Sequence, residues 1–153
     1  MQAMLMAIPD STDDDAVRQW SDRRTNDPDG LFRVIAENGT DTALGFIQIS
    51  QINRRNRNGY GAVAVSKRAA LPGIGQIAVR ELMRAACCDL GLTKLVAEIR
   101  VDNIAAIQMN LMSGYCVVGT LEQHFADAGG KRHDVLLLEK QLDPDKFRRT
   151  RIQ

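Results

Sequence analysis

The spacing of apolar residues changes repeatedly along the chain, and each change predicts an element. Ala16, Val17 and Trp20 recur at helical spacing. Before them Ser11 or Thr12 can cap a helix, and Asp13, Asp14 and Asp15 suit its positive end. Asn26-Asp27-Pro28-Asp29-Gly30 reads as a turn. Residues 31–37 and 44–52 have strand character and flank Asn38-Gly39, a strong hairpin signal. In the second run Phe46, Gln48 and Ser50 alternate with Ile47, Ile49 and Gln51, which predicts a sheet with unequal faces. The polar, basic run 53–59, with Arg54, Arg55 and Arg57, reads as a loop that can meet a phosphate.

Residues 60–66 (YGAVAVS) predict the next strand, followed by the breaker-rich KRAALPGIG and a helical run to Leu90. Ile77, Leu82, Cys87 and Leu90 fall along one stripe of that helix, and Gly91 ends it. Gly73 and Gly75 free the backbone where it turns, so the N–H groups of the helix's first turn can hold an anion. Residues 94–101 follow as a strand with Leu95, Ala97, Ile99 and Val101 on one face and Val96, Glu98 and Arg100 on the other. Asp102-Asn103 opens a short helix in which Ala106, Ile107, Leu111 and Met112 pack inward, and Gly114 closes it. A strand at 115–121, a loop at 124–131 and a strand at 133–142 complete the reading. This order predicts an α/β (α+β) fold with a mixed, mostly antiparallel sheet flanked by helices. The helix after Gly75 brings 94–101 parallel to 60–66.

At 153 residues the chain fits one domain, 1–145, followed by a basic tail, 146–153, that carries Lys146, Arg148, Arg149 and Arg151. Lys+Arg 20 against Asp+Glu 19 leaves a net charge of +1, which gives no reason to expect a nucleic-acid partner. The 3 cysteines, two of them adjacent at Cys87 and Cys88, suit buried thiols in a reducing compartment. No metal set, signal peptide or membrane span is expected, so the reading is a cytoplasmic protein.

The stretch Ala70-Leu71-Pro72-Gly73-Ile74-Gly75 between a strand and a helix resembles the signature of the GNAT family of acyl-CoA-dependent N-acetyltransferases. Asn103-Ile104-Ala105-Ala106-Ile107 with Gly114-Tyr115 matches that family's later pattern. Asp134 resembles the Asp of the branch that acts on ribosomal protein amino termini and nucleotide-linked amino sugars. RNRNGYGAVAV and GTLEQHFADAGGKRHD resemble the sugar-modifying branch, which makes the amino-sugar nucleotide the favoured acceptor. The resemblance implies a sheet splayed between 60–66 and 94–101, with acetyl-CoA in the gap. By carry-over, Val63, Ala64 and Val65 hold the pantetheine arm, and Ala70, Leu71, Gly73, Ile74 and Gly75 take the pyrophosphate. Asn103 binds pantetheine and Ala106 lines the channel.

The implied reaction is direct attack of an amine on the thioester in a ternary complex. The acceptor is an amino-sugar nucleotide or a protein amino terminus. Glu98 is the expected base, with His124 and then His133 behind it, and Tyr115 is expected to pack in the core. The family pattern departs at two places. Ala70 replaces an arginine or glutamine, which leaves backbone amides for the phosphates. Asn110 replaces a tyrosine that protonates the leaving thiolate; asparagine can only donate a hydrogen bond. A non-catalytic acyl-CoA-binding protein is the alternative that Asn110 suggests. The family's first strand and helix are expected to be missing or shortened, since few residues precede Ser11. Strand 31–37 would then be a sheet edge, relieved by a homodimer or by residues 3–8.

Overall fold

The computed structural model describes residues 13–67 and 72–148. Helix α1 (Asp14–Thr25) is capped by Asp13, whose Oδ1 accepts from the Ala16 N–H at 2.8 Å. The expected caps Ser11 and Thr12, like residues 3–8 and Arg149 to Arg151, lie outside the described residues. The acidic run does its work at the helix start as expected, but its first carboxylate is itself the cap. One side of α1 buries Trp20, which meets Phe32 and Phe46 edge-on at 5.6 and 5.5 Å.

Strands β1 (Leu31–Ala36), β2 (Ala43–Asn53) and β3 (Asn58–Val65) form an antiparallel meander. The expected loop 53–59 is shorter in the structure, because Asn53 pairs with Asn58 and leaves a tight turn. Two of its three arginines are occupied: Arg54 donates to the Pro28 carbonyl and Arg57 to the Gly91 carbonyl. Helix α2 (Ile74–Arg84) continues into a π-helical turn, Ala85–Asp89. Its buried stripe is Ala78, Val79, Leu82 and Met83, then Ala86 and Cys87. Ile77 lies one residue off that stripe and is 68% exposed, against the expected pattern.

β4 (Lys94–Arg100) and α3 (Ile104–Met112) fall where expected. Ala106 and Ile107 pack against the core, but Leu111 and Met112 face outward, because α3 is covered on one side only. β5 (Cys116–Ala126) and β6 (Arg132–Gln141) form a longer hairpin than expected, followed by the short α4 (Pro144–Arg148). The Asp127 side chain accepts the N–H groups of Gly129 and Lys131 and so tightens the turn. His124 therefore stands in a strand, where a loop was expected.

The six strands run in the order β1-β2-β3-β4-β6-β5, and only β3 and β4 are parallel. That pair is joined only at Asn58↔Lys94, Gly59↔Leu95 and Tyr60↔Val96. Beyond it β3 stays zipped to β2 as far as Val65, and β4 to β6 as far as Arg100. Each strand is thus held straight by its other neighbour while the two diverge, which is the expected splay. Ile47, Ile49, Leu95, Ala97, Ile99 and Leu138 pack against the α2 stripe on one face of the sheet. The opposite face carries α1 over Phe32 and Phe46. β1 forms an edge of the described sheet.

Tyr115 packs in the core as expected, at 3% exposure, and its hydroxyl has no hydrogen-bond partner among the described residues. Burial accordingly pushes the phenol pKa up. Since an unsatisfied buried hydroxyl costs about 1–3 kcal/mol, Tyr115→Phe is expected to leave stability unchanged or raise it by about 1 kcal/mol. A thermal melt reads this; a clear loss of stability would show that the hydroxyl has a partner.

Candidate active site

Where β3 and β4 part, a cleft of about 280 Å³ opens between them. Ala97 and Ile99 of β4, Leu82 of α2, and Asn103, Ala106, Met109 and Asn110 at α3 line it from the core face. Phe46, Gln48, Ser50, Tyr60, Ala62 and Glu98 line it from strand positions of opposite parity. The register makes these a set: Gln48 pairs with Ala62, Ser50 with Tyr60, and Tyr60 with Val96, two residues before Glu98. The lining thus draws side chains from both faces of the sheet, the one covered by α2 and α3 and the one that carries α1.

Val63, Asn103, Ala106, Glu98 and Asn110 are brought together in this lining. Ala64 is buried in the β2 pairing and Val65 ends β3, so both lie on the strand that forms one wall. Beyond Tyr60 the edge of β3 facing β4 carries no ladder pair, which leaves backbone groups for an extended amide-bearing chain. Gly73 caps α2 in a left-handed conformation, φ 82°, with no side-chain cap, so the first N–H groups of α2 are available to phosphate oxygens. A Cβ on Gly75 would come within 2.6 Å of the Met109 Sδ, so this glycine lets α2 approach α3 closely. Ala70 and Leu71 lie outside the described residues.

The polar side chains differ in how free they are. Asn103 Oδ1 caps α3 by accepting from the Ala106 N–H at 3.3 Å. Asn110 donates Nδ2–H to the Ala106 carbonyl at 2.8 Å, so one of its two donors is spent inside its own helix. Glu98 is half-buried, and its carboxylate has no hydrogen bond or ion pair among the described residues. That leaves it open to an incoming N–H.

His124 is exposed on β5, and β6 stands between it and β4, so it does not join the cleft lining. His133 belongs to a network that sequence reasoning missed. Arg100, 6% exposed, donates to Asp102 at 3.0 and 2.6 Å and approaches His133 Nδ1 at 3.2 Å. Guanidinium can only donate, so Nδ1 accepts and Nε2 carries its proton towards Asp127 at 2.8 Å. Arg100 holds the Asp102 carboxyl below its usual range, and His133 does the same for Asp127. The Arg100 carbonyl also accepts from the Asn103 N–H at 2.9 Å, so the network pins the turn that presents Asn103. The only sequence signal was Arg100-Val-Asp102 at a strand end. Among the described residues no group of three metal-ligating side chains lies together, and no helix is long and apolar enough to cross a membrane.

Residues 3–115 match the model of the acetyltransferase (GNAT) family, and the chain belongs to that family. As its expected chemistry requires, it is an acetyl-CoA-dependent N-acetyltransferase with a splayed mixed sheet. No curated protein matches the chain by sequence. Among solved structures, spermidine N-acetyltransferase from Vibrio cholerae, in complex with CoA and spermine, superposes with a TM-score of 0.75. Identity there is 16%, covering 86% of this chain and 76% of that one. A probable acetyltransferase superposes with a TM-score of 0.70 at 20% identity, covering 79% of this chain and 67% of that one. At such identities the likeness carries the fold; it does not carry the acceptor. The residues present fit acetyl-CoA: an unpaired strand edge suits its amides, and the uncapped start of α2 suits its phosphates.

Proposed function

We propose that the protein acetylates the primary amine of a small polar acceptor, best represented by an amino sugar in nucleotide-linked form. In this reading acetyl-CoA lies along β3 on the α2–α3 side, and the amine enters from the α1 side. Val63, Ala64, Val65, Asn103 and Ala106 form the pantetheine channel, with Gly73, Ile74 and Gly75 at the pyrophosphate. Glu98 takes the proton from the attacking nitrogen, and Asn110 donates a hydrogen bond towards the sulfur. Thiolate is a tolerable leaving group, so an orienting amide is enough there. His124 has no role in this scheme.

The observation that carries this reading is the position of Glu98, a carboxylate without a partner among the described residues, in the gap between the two splayed strands. The acceptor wall is polar and poor in carboxylates, which suits a polyhydroxy body and does not favour a polycation. Gln48, Ser50, Gln51 and Tyr60 supply amides and hydroxyls, and Glu98 is the one carboxylate in the lining among the described residues. A polyamine, with several positive charges, would call for more carboxylates than this. A protein amino terminus remains the second acceptor class, since entry from the α1 side suits a chain end as well as a ring.

The test is release of CoA thiol from acetyl-CoA with three kinds of amine: amino sugars and their phosphorylated or nucleotide-linked forms, amino-terminal peptides, and spermidine. Turnover is expected first with the sugars. Preference for spermidine or for peptides would replace this acceptor, and no turnover with any amine would contradict the reading.

A further inference from the structure

Resting on the reading that the acceptor enters on the α1 side, we propose that this acceptor carries an anionic group, phosphate or carboxylate, and that Arg24 selects it. Arg24 sits in the last turn of α1, with its guanidinium carbon 4.0 Å from the centroid of the Trp20 ring. Nη1 donates to the Trp20 carbonyl at 3.3 Å, and Nε donates to Gln48 Oε1 at 3.4 Å. Gln48 lines the cleft, so the guanidinium stands one hydrogen bond behind the acceptor wall.

Among the described residues Arg24, like Arg54, Arg57 and Arg132, meets only neutral oxygens. It alone of these four is braced on an aromatic ring and on a residue of the cleft lining. Arg33 and Arg84 meet Glu81 and Asp89, and Arg100 meets Asp102. Among the described residues Arg24 has no carboxylate partner, and its Nη2 makes no hydrogen bond. Burial disfavours its charged form, and Arg23 adds repulsion, so its pKa is lowered. A cation at the end of a helix suits the helix dipole, but that attraction acts at the exposed end of α1 and does not require a fork braced on Trp20 and Gln48. The bracing pre-pays the side chain's entropy and leaves a free edge of N–H groups, the geometry that grips phosphate or carboxylate oxygens in pairs. A positive fork beside the wall also repels a polycationic acceptor.

Trp20 is the one tryptophan of the chain, so its fluorescence reports directly on the group stacked upon it. The experiment uses protein saturated with CoA, which occupies the phosphate-binding start of α2, and titrates glucosamine, glucosamine 1-phosphate and inorganic pyrophosphate. Wild type is expected to bind the phosphorylated sugar about tenfold or more tightly than glucosamine, with a change in Trp20 emission. Arg24→Met should abolish that preference and leave glucosamine binding unchanged. Arg24→Lys, which keeps the charge and loses the fork, should lose about threefold to tenfold of it. Should Arg24→Met fail to fold, the lysine variant decides.

Equal binding of glucosamine and its phosphate by wild type overturns the inference. So does a preference that survives both substitutions. The two readings fail separately. Acetyl transfer to glucosamine 1-phosphate with the same kcat/KM in wild type and Arg24→Met leaves the acetyltransferase reading standing and removes this one. Arg24-dependent anion binding without transfer to any amine does the reverse.

Discussion

Replacing Glu98 by glutamine is expected to lower acetyl transfer by about 10²–10⁴-fold while CoA affinity stays within about twofold, the range that general-base removal commonly gives. An amine is mostly protonated near neutral pH and must lose a proton before or as it attacks. A carboxylate in the gap between β3 and β4, with no partner of its own among the described residues, is placed to receive it. Glutamine keeps the size and hydrogen-bonding reach of the side chain but cannot accept the proton. CoA binding is spared because Glu98 alternates along β4 with Ala97 and Ile99, which face the core and the helices. Steady-state rates with separate calorimetry of CoA read both quantities. Unchanged turnover would remove Glu98 from the chemistry, and a matched loss of CoA binding would make it a structural residue.

Leu95→Ala is expected to cost about 2–5 kcal/mol, the usual range for a fully buried leucine. Leu95 is 0% exposed at the start of β4, where that strand is still joined to β3 through Gly59. Its Cδ1 lies 3.6 Å from where a Cβ on Gly61 would be, and Leu82 of α2 closes the same space. The side chain therefore wedges the closed end of the splay against the helix. In a domain of this size each kcal/mol moves the melting temperature by about 2–4 °C, so the variant should melt roughly 5–20 °C lower. Val34→Ala on β1, at 56% exposure, should stay within about 0.5 kcal/mol of wild type. Similar losses from the two substitutions would contradict this account of the core.

The parts of the fold legible in the chain are those set by local pattern. Asn38-Gly39, the alternation through Ile47 and Ile49, and Gly91 and Gly114 at helix ends each mark a feature that short-range sterics decide. The splay is different: nothing local in 60–66 or 94–101 says that two strands part after three pairs. It became an expectation through the family's motifs, and the pairings of β3 with β2 and β4 with β6 account for it physically. Ile77 and Leu111 depart from the expected stripe because periodicity marks a stripe without fixing its width or what covers it. His124 stands in β5 because the Asp127 side chain, farther along the chain, shortens the turn.

For the candidate site, the residues on β3, β4 and α3 were within reach of the sequence because motif order implies their neighbourhood. Arg24 was not. Its approach to Gln48 joins positions 24 residues apart across two elements, and only the packing of Trp20 on Phe32 and Phe46 brings them together. The same holds for Arg100 and His133, 33 residues apart. Long-range polar contacts of this kind leave no periodic trace.

The arrangement as a whole is tested most directly by a crystal structure with CoA bound. The thiol is expected in the gap between β3 and β4, beside Ala97 and Ile99, with the pyrophosphate on the backbone of residues 73–75 and Glu98 facing the sulfur from the α1 side. A thiol lying elsewhere, or β3 and β4 zipped together beyond Tyr60 and Val96, would contradict it.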